Sequence, residues 1–296
     1  MNEKVQQSIL RATGLLLIEV INSNPNGDPD RESDPRQRPD GRGEISPVSF
    51  KRKVRDLIEN KEGEVWTQIA KDMDLVPEHF AILESRGRDR KAIEAELKNG
   101  DTFRDKYWDG RVFGNTFLEE GGSDKIRTGV VQFGLGLSVA PIDISRHTNT
   151  NKAGVQSDKD RGMAPMGYRF VPHGVYCMPF FVNPSAAHKS GCTKRDIDVL
   201  LRVIPYAYAH TRSHARPMVE VRNAWFIEHT NALGSCSDFA LIDALTPKKK
   251  HEPGNPSLCW DDYSHPAFDS DAFKSLKEKV GKCRDLMEMS NDTPGA

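Results

Sequence analysis

The sequence predicts an α+β fold, and three features carry that expectation. They are an apolar run near the N-terminus, an amphipathic helix with one basic face, and a later stretch in which β-branched residues alternate with glycine. Over residues 9–21, Leu15, Leu16, Leu17, Ile18, Val20 and Ile21 form a short apolar run stopped by Asn and Pro, which reads as a buried strand. Residues 22–46, NSNPNGDPDRESDPRQRPDGRGEIS, are a long loop whose Pro, Gly, Asn and Asp set turns and forbid regular structure. Loops of that length inside compact domains tend to be functional.

Ser46 followed by Pro47 is a helix start, an N-cap and then a proline at the first helical position. At about 100° per residue, Phe50, Val54, Leu57 and Ile58 share one face, Lys51, Arg52 and Arg55 cluster on the other, and Lys53 falls on the far shoulder. Residues 61–110 read as a charged helical insertion at the periphery, too polar for central core. Residues 125–141, with IRTGVVQFGLGLSVAP, resume the sheet as a strand closely approached by another backbone. Residues 142–166 are polar but meet strands at both ends, as a protruding hairpin arm does.

Residues 168–182 read as the returning strand, 193–210 as a helix with Ile197, Leu200, Leu201 and Ile204 inward, and 219–228 as a last strand. The order strand, helix, strand, strand, helix, strand is the split βαβ, ferredoxin-like arrangement shared by RNA-recognition motifs. After Thr246, PKKKHEPGNP has the composition of a linker, followed by a short amphipathic helix over 271–286 and a disordered NDTPGA.

Composition narrows the function classes. The 296 residues are 37% hydrophobic, enough for a real core. No window approaches the roughly 18 apolar residues of a membrane span, and MNEKVQQSIL lacks the basic-then-apolar order of a secretory signal. A soluble, cytoplasmic protein without membrane partners is expected. Five cysteines, Cys177, Cys192, Cys236, Cys259 and Cys283, are odd in number, widely spaced and without a C-x-x-C pair, so neither a disulfide framework nor a zinc knuckle is expected. A formal net charge of -1 argues against coating duplex DNA by bulk electrostatics, so any nucleic-acid site must be local.

Six segments occur in one order: NPNGDPD at 24–30, FKRKVRD at 50–56, DGRVFG at 109–114, VQFGLGLSV at 131–139, MGYRFVPHGVY at 166–176 and HTRSHARPMVEVRNAWFIEH at 210–229. Together they resemble the backbone subunit, of the RAMP superfamily, of type I CRISPR Cascade complexes in the form of type I-C and related type I-B systems. The resemblance spans roughly residues 10–235. It implies an RNA-recognition-motif core over 1–245, with a helical finger region at 61–124 and a hairpin thumb at 141–166, and leaves 246–296 as linker and tail. It also implies a non-catalytic protein whose copies stack as a helical filament along CRISPR guide RNA, each thumb kinking the RNA on its neighbour. Target DNA then pairs with the guide, and other Cascade subunits, capping and large, with a transient helicase-nuclease, complete the partners.

A filament that accepts any spacer grips phosphates and leaves base edges free. Lys51, Arg52 and Arg55 suit that grip, against the alternative of a merely solvated helix face. Asn24, Asn26 and Gly27 offer amide and N–H groups to RNA, or else simply build a tight turn. In the thumb, Met163 and Met166 are wedges for a displaced base, with Arg146, His147 and Arg161 as backbone contacts. Arg111 approaches RNA, whereas Phe113 reads as core.

Other patterns are set aside. NSNPNG begins like a calcium loop but lacks its first carboxylates and a Glu at the twelfth position, occupied by Ser33. His210 and His214 are four apart without the metalloprotease Glu, and GLG lies inside a strand rather than before a helix. No metal, nucleotide or other cofactor is expected. The competing class is a type III-like endoribonuclease cutting target RNA with a loop aspartate, Asp28 or Asp30.

Overall fold

The computed structural model describes residues 8–86, 104–114, 128–151 and 164–291. Strands β1 (Ala12–Ser23), β4 (Arg42–Ile45), β6 (Gly136–Pro141), β8 (Ala164–Val182), β9 (Val219–His229) and β10 (Val280–Asp285) form an antiparallel sheet in the order β10-β9-β1-β8-β6-β4. Strands β5 (Val131–Phe133) and β7 (Ser145–Asn151) pair with other stretches of β8, and β2 (Gly27–Asp28) pairs with β3 (Asp34–Pro35) in a small ladder of their own. The helices are α1 (Pro47–Glu59), α2 (Glu64–Asp72), α3 (Trp108–Phe113), α4 (Ala187–Ser190), α5 (Lys194–Val203), α6 (Asp238–Leu245), α7 (Asp271–Lys277) and α8 (Leu286–Asn291). In chain order β1, α1, β6, β8, α5 and β9 follow the split βαβ pattern, and their strands lie fourth, first, third, second across the sheet, the α+β ferredoxin-like arrangement.

Alternation along β1 explains its unbroken apolar run. Leu16, Ile18 and Val20 pack with Phe50 and Val54 of α1 and Ile197 and Leu200 of α5, whereas Leu15 and Leu17 join Trp225, Ile227, Leu241, Leu245 and Phe273 on the opposite face. A strand covered on both faces favours apolar residues on each side, and its polar members Thr13 and Glu19 are buried with hydrogen-bond partners. Full burial of each such side chain contributes roughly 1.5–3 kcal/mol. Gly14 is fixed by the same packing, because a Cβ there would stand 2.1 Å from the ring of its cross-strand partner Phe180.

Strand β8 contains three prolines: Pro165 lies where it pairs with β7, and Pro172 and Pro179 lie in its central part, unusual where ladder bonds are needed on both sides. On its β6 side, however, β8 changes partner along its length. It pairs with β7 over residues 164–170, β6 at 176–177 and β5 at 180–182. Pro172 and Pro179 fall in the two gaps, where no partner strand on that side calls for their missing N–H.

Helix ends follow the local sequence. Ser46 Oγ accepts from Ser49 N at 3.2 Å, and Thr193 with Asp196 forms a capping box in which Asp196 Oδ2 accepts from Thr193 N at 2.8 Å. The helix expected to reach 210 ends at Val203 because Pro205 cannot continue it, and a 3-10 turn takes over at Ile204–Tyr206.

Three sequence expectations need correction. Loop 22–46 is regular in part, since β4 joins the main sheet and β2 pairs with β3. Its glycines and prolines end strands here rather than prevent them. The region after residue 61 supplies Val65, Trp66, Ile69, Phe80, Ile82 and Trp108 to the main core. The helix expected over 271–286 is α7 followed by β10, which adds an edge strand to β9. Phe273 and Leu286 are buried, as is Tyr263 after the Lys-rich stretch.

The covering of the second sheet face is pinned by two polar clusters. Thr13 Oγ1 donates to Asp238 Oδ1 at 2.6 Å, His229 Nε2 lies 3.0 Å from the same oxygen, and Arg11 Nη2 lies 2.6 Å from Asp238 Oδ2. Because Ser235 N donates to His229 Nδ1, the His229 proton sits on Nε2, facing Asp238. In the second cluster His173 bridges Glu19 of β1, at 3.2 Å, and Ser257 of the C-terminal segment, at 2.7 Å. Among the described residues, no helix is long and apolar enough to cross a membrane.

Candidate nucleic-acid interface

The end of β1, the NPNG loop, the start of α1 and residues 206–218 after α5 meet at one corner of the fold. Ile21 N donates to Met218 O at 2.9 Å, Asn24 N to Ala215 O at 2.8 Å, and Arg216 Nε to Pro25 O at 3.2 Å. Lys53 Nζ donates to Thr211 O at 3.3 Å, and Asn26 Oδ1 accepts from Ser46 N at 2.8 Å, which fastens the loop to the α1 cap. Asn24 Nδ2 donates to Ser33 O at 2.8 Å, while its Oδ1 is buried without a hydrogen-bond partner. Gly27 lies in β2, where a Cβ would stand 3.2 Å from Ser33 O. Asp28 Oδ1 accepts from Asp30 N and caps a 3-10 turn.

The basic face of α1 is not uniformly solvated. Arg55 is 3% exposed, with Nε 2.9 Å from Asp109 Oδ2 and Nη2 3.1 Å from Glu84. Asp109 also accepts from Leu83 N at 2.6 Å, so both members of the pair have further polar partners, as a buried ion pair requires. This corrects the expected solvent-facing role of Arg55. Its period placed it correctly on the helix, but α3 covers that side. Lys51 Nζ sits 5.0 Å from the Phe113 ring centroid, and burial, then the nearby Arg55 guanidinium, pushes its pKa down. Lys53 is lowered in the same way, by burial and then chiefly by Arg216. Arg52 meets Asp56 only at 4.0 Å, and its Nη1 has no hydrogen bond. Arg36 Nε is likewise buried and unpartnered. Cations gather at this corner, beside the loop carboxylates Asp28, Asp30 and Glu32.

Arg111 is also interior, which corrects the expectation that it approaches RNA. Its Nη2 lies 2.7 Å from Asp196 Oδ1 and its Nε 3.2 Å from Oδ2, and the remaining donors reach the carbonyls of His79, Arg104 and Asp105. Phe113 is core, as read, packed edge-on against Trp108 and Phe133.

The polar arm expected at 142–166 is, within the described residues, an antiparallel ribbon of β7 and the first part of β8. Its two faces differ because cross-strand partners point the same way. Arg146 and Arg169, opposite in register, share Asp34: Arg146 Nη2 lies 2.5 Å from Oδ2 and Arg169 Nε 3.4 Å from Oδ1, and Arg169 also pairs with Glu32. His147, Tyr168 and Phe170 form the other face. Met166 pairs with Asn149 in the ribbon, and Arg161 and Met163 lie outside the described residues.

His210, Arg212 and His214, exposed in the loop that closes over the NPNG segment, are not among the expected RNA contacts, the two histidines being weighed only as a metal pair. Their density in HTRSHAR was the available signal, but pairing them with residues 24–53 needed the fold.

No curated protein matches the chain. Among solved structures, a chain of a "CRISPR RNA-guided surveillance complex, pre-nicking" is 15% identical with a TM-score of 0.47, over 73% of this chain and 77% of that one. A chain of a "CRISPR RNA-guided surveillance complex" is 18% identical with a TM-score of 0.39, over 72% and 68%. A chain of a Type III-B Cmr-beta complex bound to cognate target RNA is 16% identical with a TM-score of 0.40, over 74% and 61%. The family model for CRISPR-associated protein Cas7 matches residues 10–267, and the chain therefore belongs to the Cas7 family.

Proposed function

We propose that this chain is a non-catalytic, guide-RNA-binding backbone subunit of a type I CRISPR surveillance complex, of type I-C or I-B kind. Copies polymerise along the guide and present the spacer to the target DNA strand, beside capping and large subunits and a transient helicase-nuclease. The observation that carries the reading is the cation-crowded corner of the fold. Lysines depressed by burial and by neighbouring arginines, with Arg36 Nε and Arg52 Nη1 left without an acceptor, are what a polyanion would relieve.

In this reading Lys51, Arg52, Arg212 and Arg216 contact phosphate, and Asn24, Asn26 and Gly27 shape the loop that meets it. Arg146, His147, Arg161, Met163 and Met166 belong to the thumb, while Arg55 and Arg111 hold the platform from inside. The RNA-recognition-motif core spans 1–245 with finger 61–124 and thumb 141–166 as insertions, and 246–296 is the tail, of which β10 adds an edge strand to the sheet. The Asp28 carboxylate already caps a turn, which favours binding over cleavage.

The test is the mass and absorbance ratio of the protein purified with and without a co-expressed CRISPR array. Several copies on a discrete repeat-spacer RNA are expected, and an RNA-free monomer indifferent to the array overturns the reading. Regularly spaced cuts in complementary RNA with Mg²⁺, abolished by Asp28→Ala, would establish the endoribonuclease instead.

A further inference from the structure

Four rings form a continuous row across the base of the β7/β8 ribbon. His147 lies 5.0 Å from Phe170, Phe170 5.0 Å from Tyr168, and Tyr168 5.6 Å from His214 of the loop after α5, centroid to centroid. The two histidines at its ends are exposed and Phe170 is buried. Tyr168 is held in place by its hydroxyl, which donates to Asn22 O at 2.8 Å. Register puts Arg146 and Arg169 on the ribbon's other face, paired with Asp34, so the ring face is free of their charge. Exposed Arg212 and half-buried Arg216 stand in the same loop as His214.

We propose that this row is a nucleobase-stacking site, with a base of single-stranded RNA lying against His147 or His214 while its phosphates run over the loop cations. Exposed rings beside arginines match the physical demand of such a ligand. Every base has a π-face, so stacking holds RNA without reading its sequence, which a purely cationic groove cannot do for the bases themselves. The proposal rests on the RNA-binding reading but makes a separate demand. It requires that the bases, and not only the phosphates, contribute to affinity at the thumb base.

The full-length protein is titrated with single-stranded oligoadenylate and with RNA of equal length whose nucleosides are abasic riboses. The intact RNA is expected to bind about tenfold more tightly or better, the scale of one stacked base. The double variant His147→Ala, His214→Ala changes two exposed side chains. It is expected to reduce that preference to about threefold or less with the salt slope unchanged. Tyr168→Phe, which keeps the ring, retains the preference. Photocrosslinks from 4-thiouridine RNA to the wild type are expected at Tyr168, His147 or His214. Equal binding of intact and abasic RNA with a normal salt slope overturns the stacking site and leaves the phosphate grip standing. A preference undiminished in the double variant, or crosslinks confined to other peptides, also overturns it, whereas absence of RNA binding in every arm overturns the underlying reading.

Discussion

Arg111 Nη2 lies 2.7 Å from Asp196 Oδ1, and the two residues are 6% and 2% exposed. The pair joins α3 to the start of α5, where Asp196 also closes the Thr193 capping box. Removing one partner leaves a buried charge uncompensated, so Arg111→Ala should lower unfolding stability by about 3–5 kcal/mol. Arg111→Lys should restore only part of it, because one ammonium cannot replace donors spread over a carboxylate and three carbonyls. Urea denaturation would check both, and a stable Arg111→Ala protein with weakened RNA binding would argue for a surface role instead.

Charge reversal separates grip from scaffold on α1. Arg52→Glu combined with Arg212→Glu should weaken RNA binding equally for all sequences and flatten the dependence of log K on log salt by roughly 0.7 per lost phosphate contact. Arg55→Glu sets a third carboxylate beside Asp109 and Glu84 and should unfold the protein rather than tune its affinity. Titrations at several salt concentrations, paired with melting curves, resolve the two.

Asp34 stands between two arginines that face each other across the ribbon. Asp34→Ala leaves them in like-charge opposition, which destabilises an antiparallel pair locally. Faster amide exchange over residues 145–148 and 167–170, with the global melting point nearly unchanged, is the expected outcome. Unaltered exchange would show that Asp34 does not hold the ribbon.

Acid should loosen the covering of the second sheet face. Burial alone would raise the Asp238 pKa, but hydrogen bonds from Thr13 and Arg11, the Arg11 charge and His229 together hold it below its ordinary value. A depressed carboxylate contributes stability that is complete above its unfolded pKa, near 3.8, and is lost as pH falls through the folded value. Stability is expected to decline below about pH 4, and Asp238→Asn should remove part of that slope while costing stability at neutral pH. Parallel slopes for the two proteins between pH 2 and 5 would contradict this.

The elements legible in the sequence were those whose signal is local. Ser46-Pro47 announces α1, and apolar runs announce β1, β8 and β9. Burial of cations was not legible, since each depends on a distant carboxylate. Arg55 meets Asp109 from 54 residues away and Arg111 meets Asp196 from 85. Periodicity locates a side chain on its helix but does not say what covers it. The same limit hid the row from His147 to His214, whose rings come from two strands and a loop. The C-terminal segment misled for a different reason: PKKKHEPGNP has linker composition, yet the few apolar residues after it, such as Tyr263 and Phe273, are the ones that pack.

The lining of the second sheet face imposes an order on biosynthesis. Leu15 and Leu17 emerge early from the ribosome, whereas Leu241, Leu245 and Phe273, which cover them, come near the end of the chain. At about 5–20 residues per second, that leaves a greasy half-sheet waiting on the order of ten seconds or more for its lid. Nascent chains stalled before residue 238 should therefore be held by chaperones or aggregate.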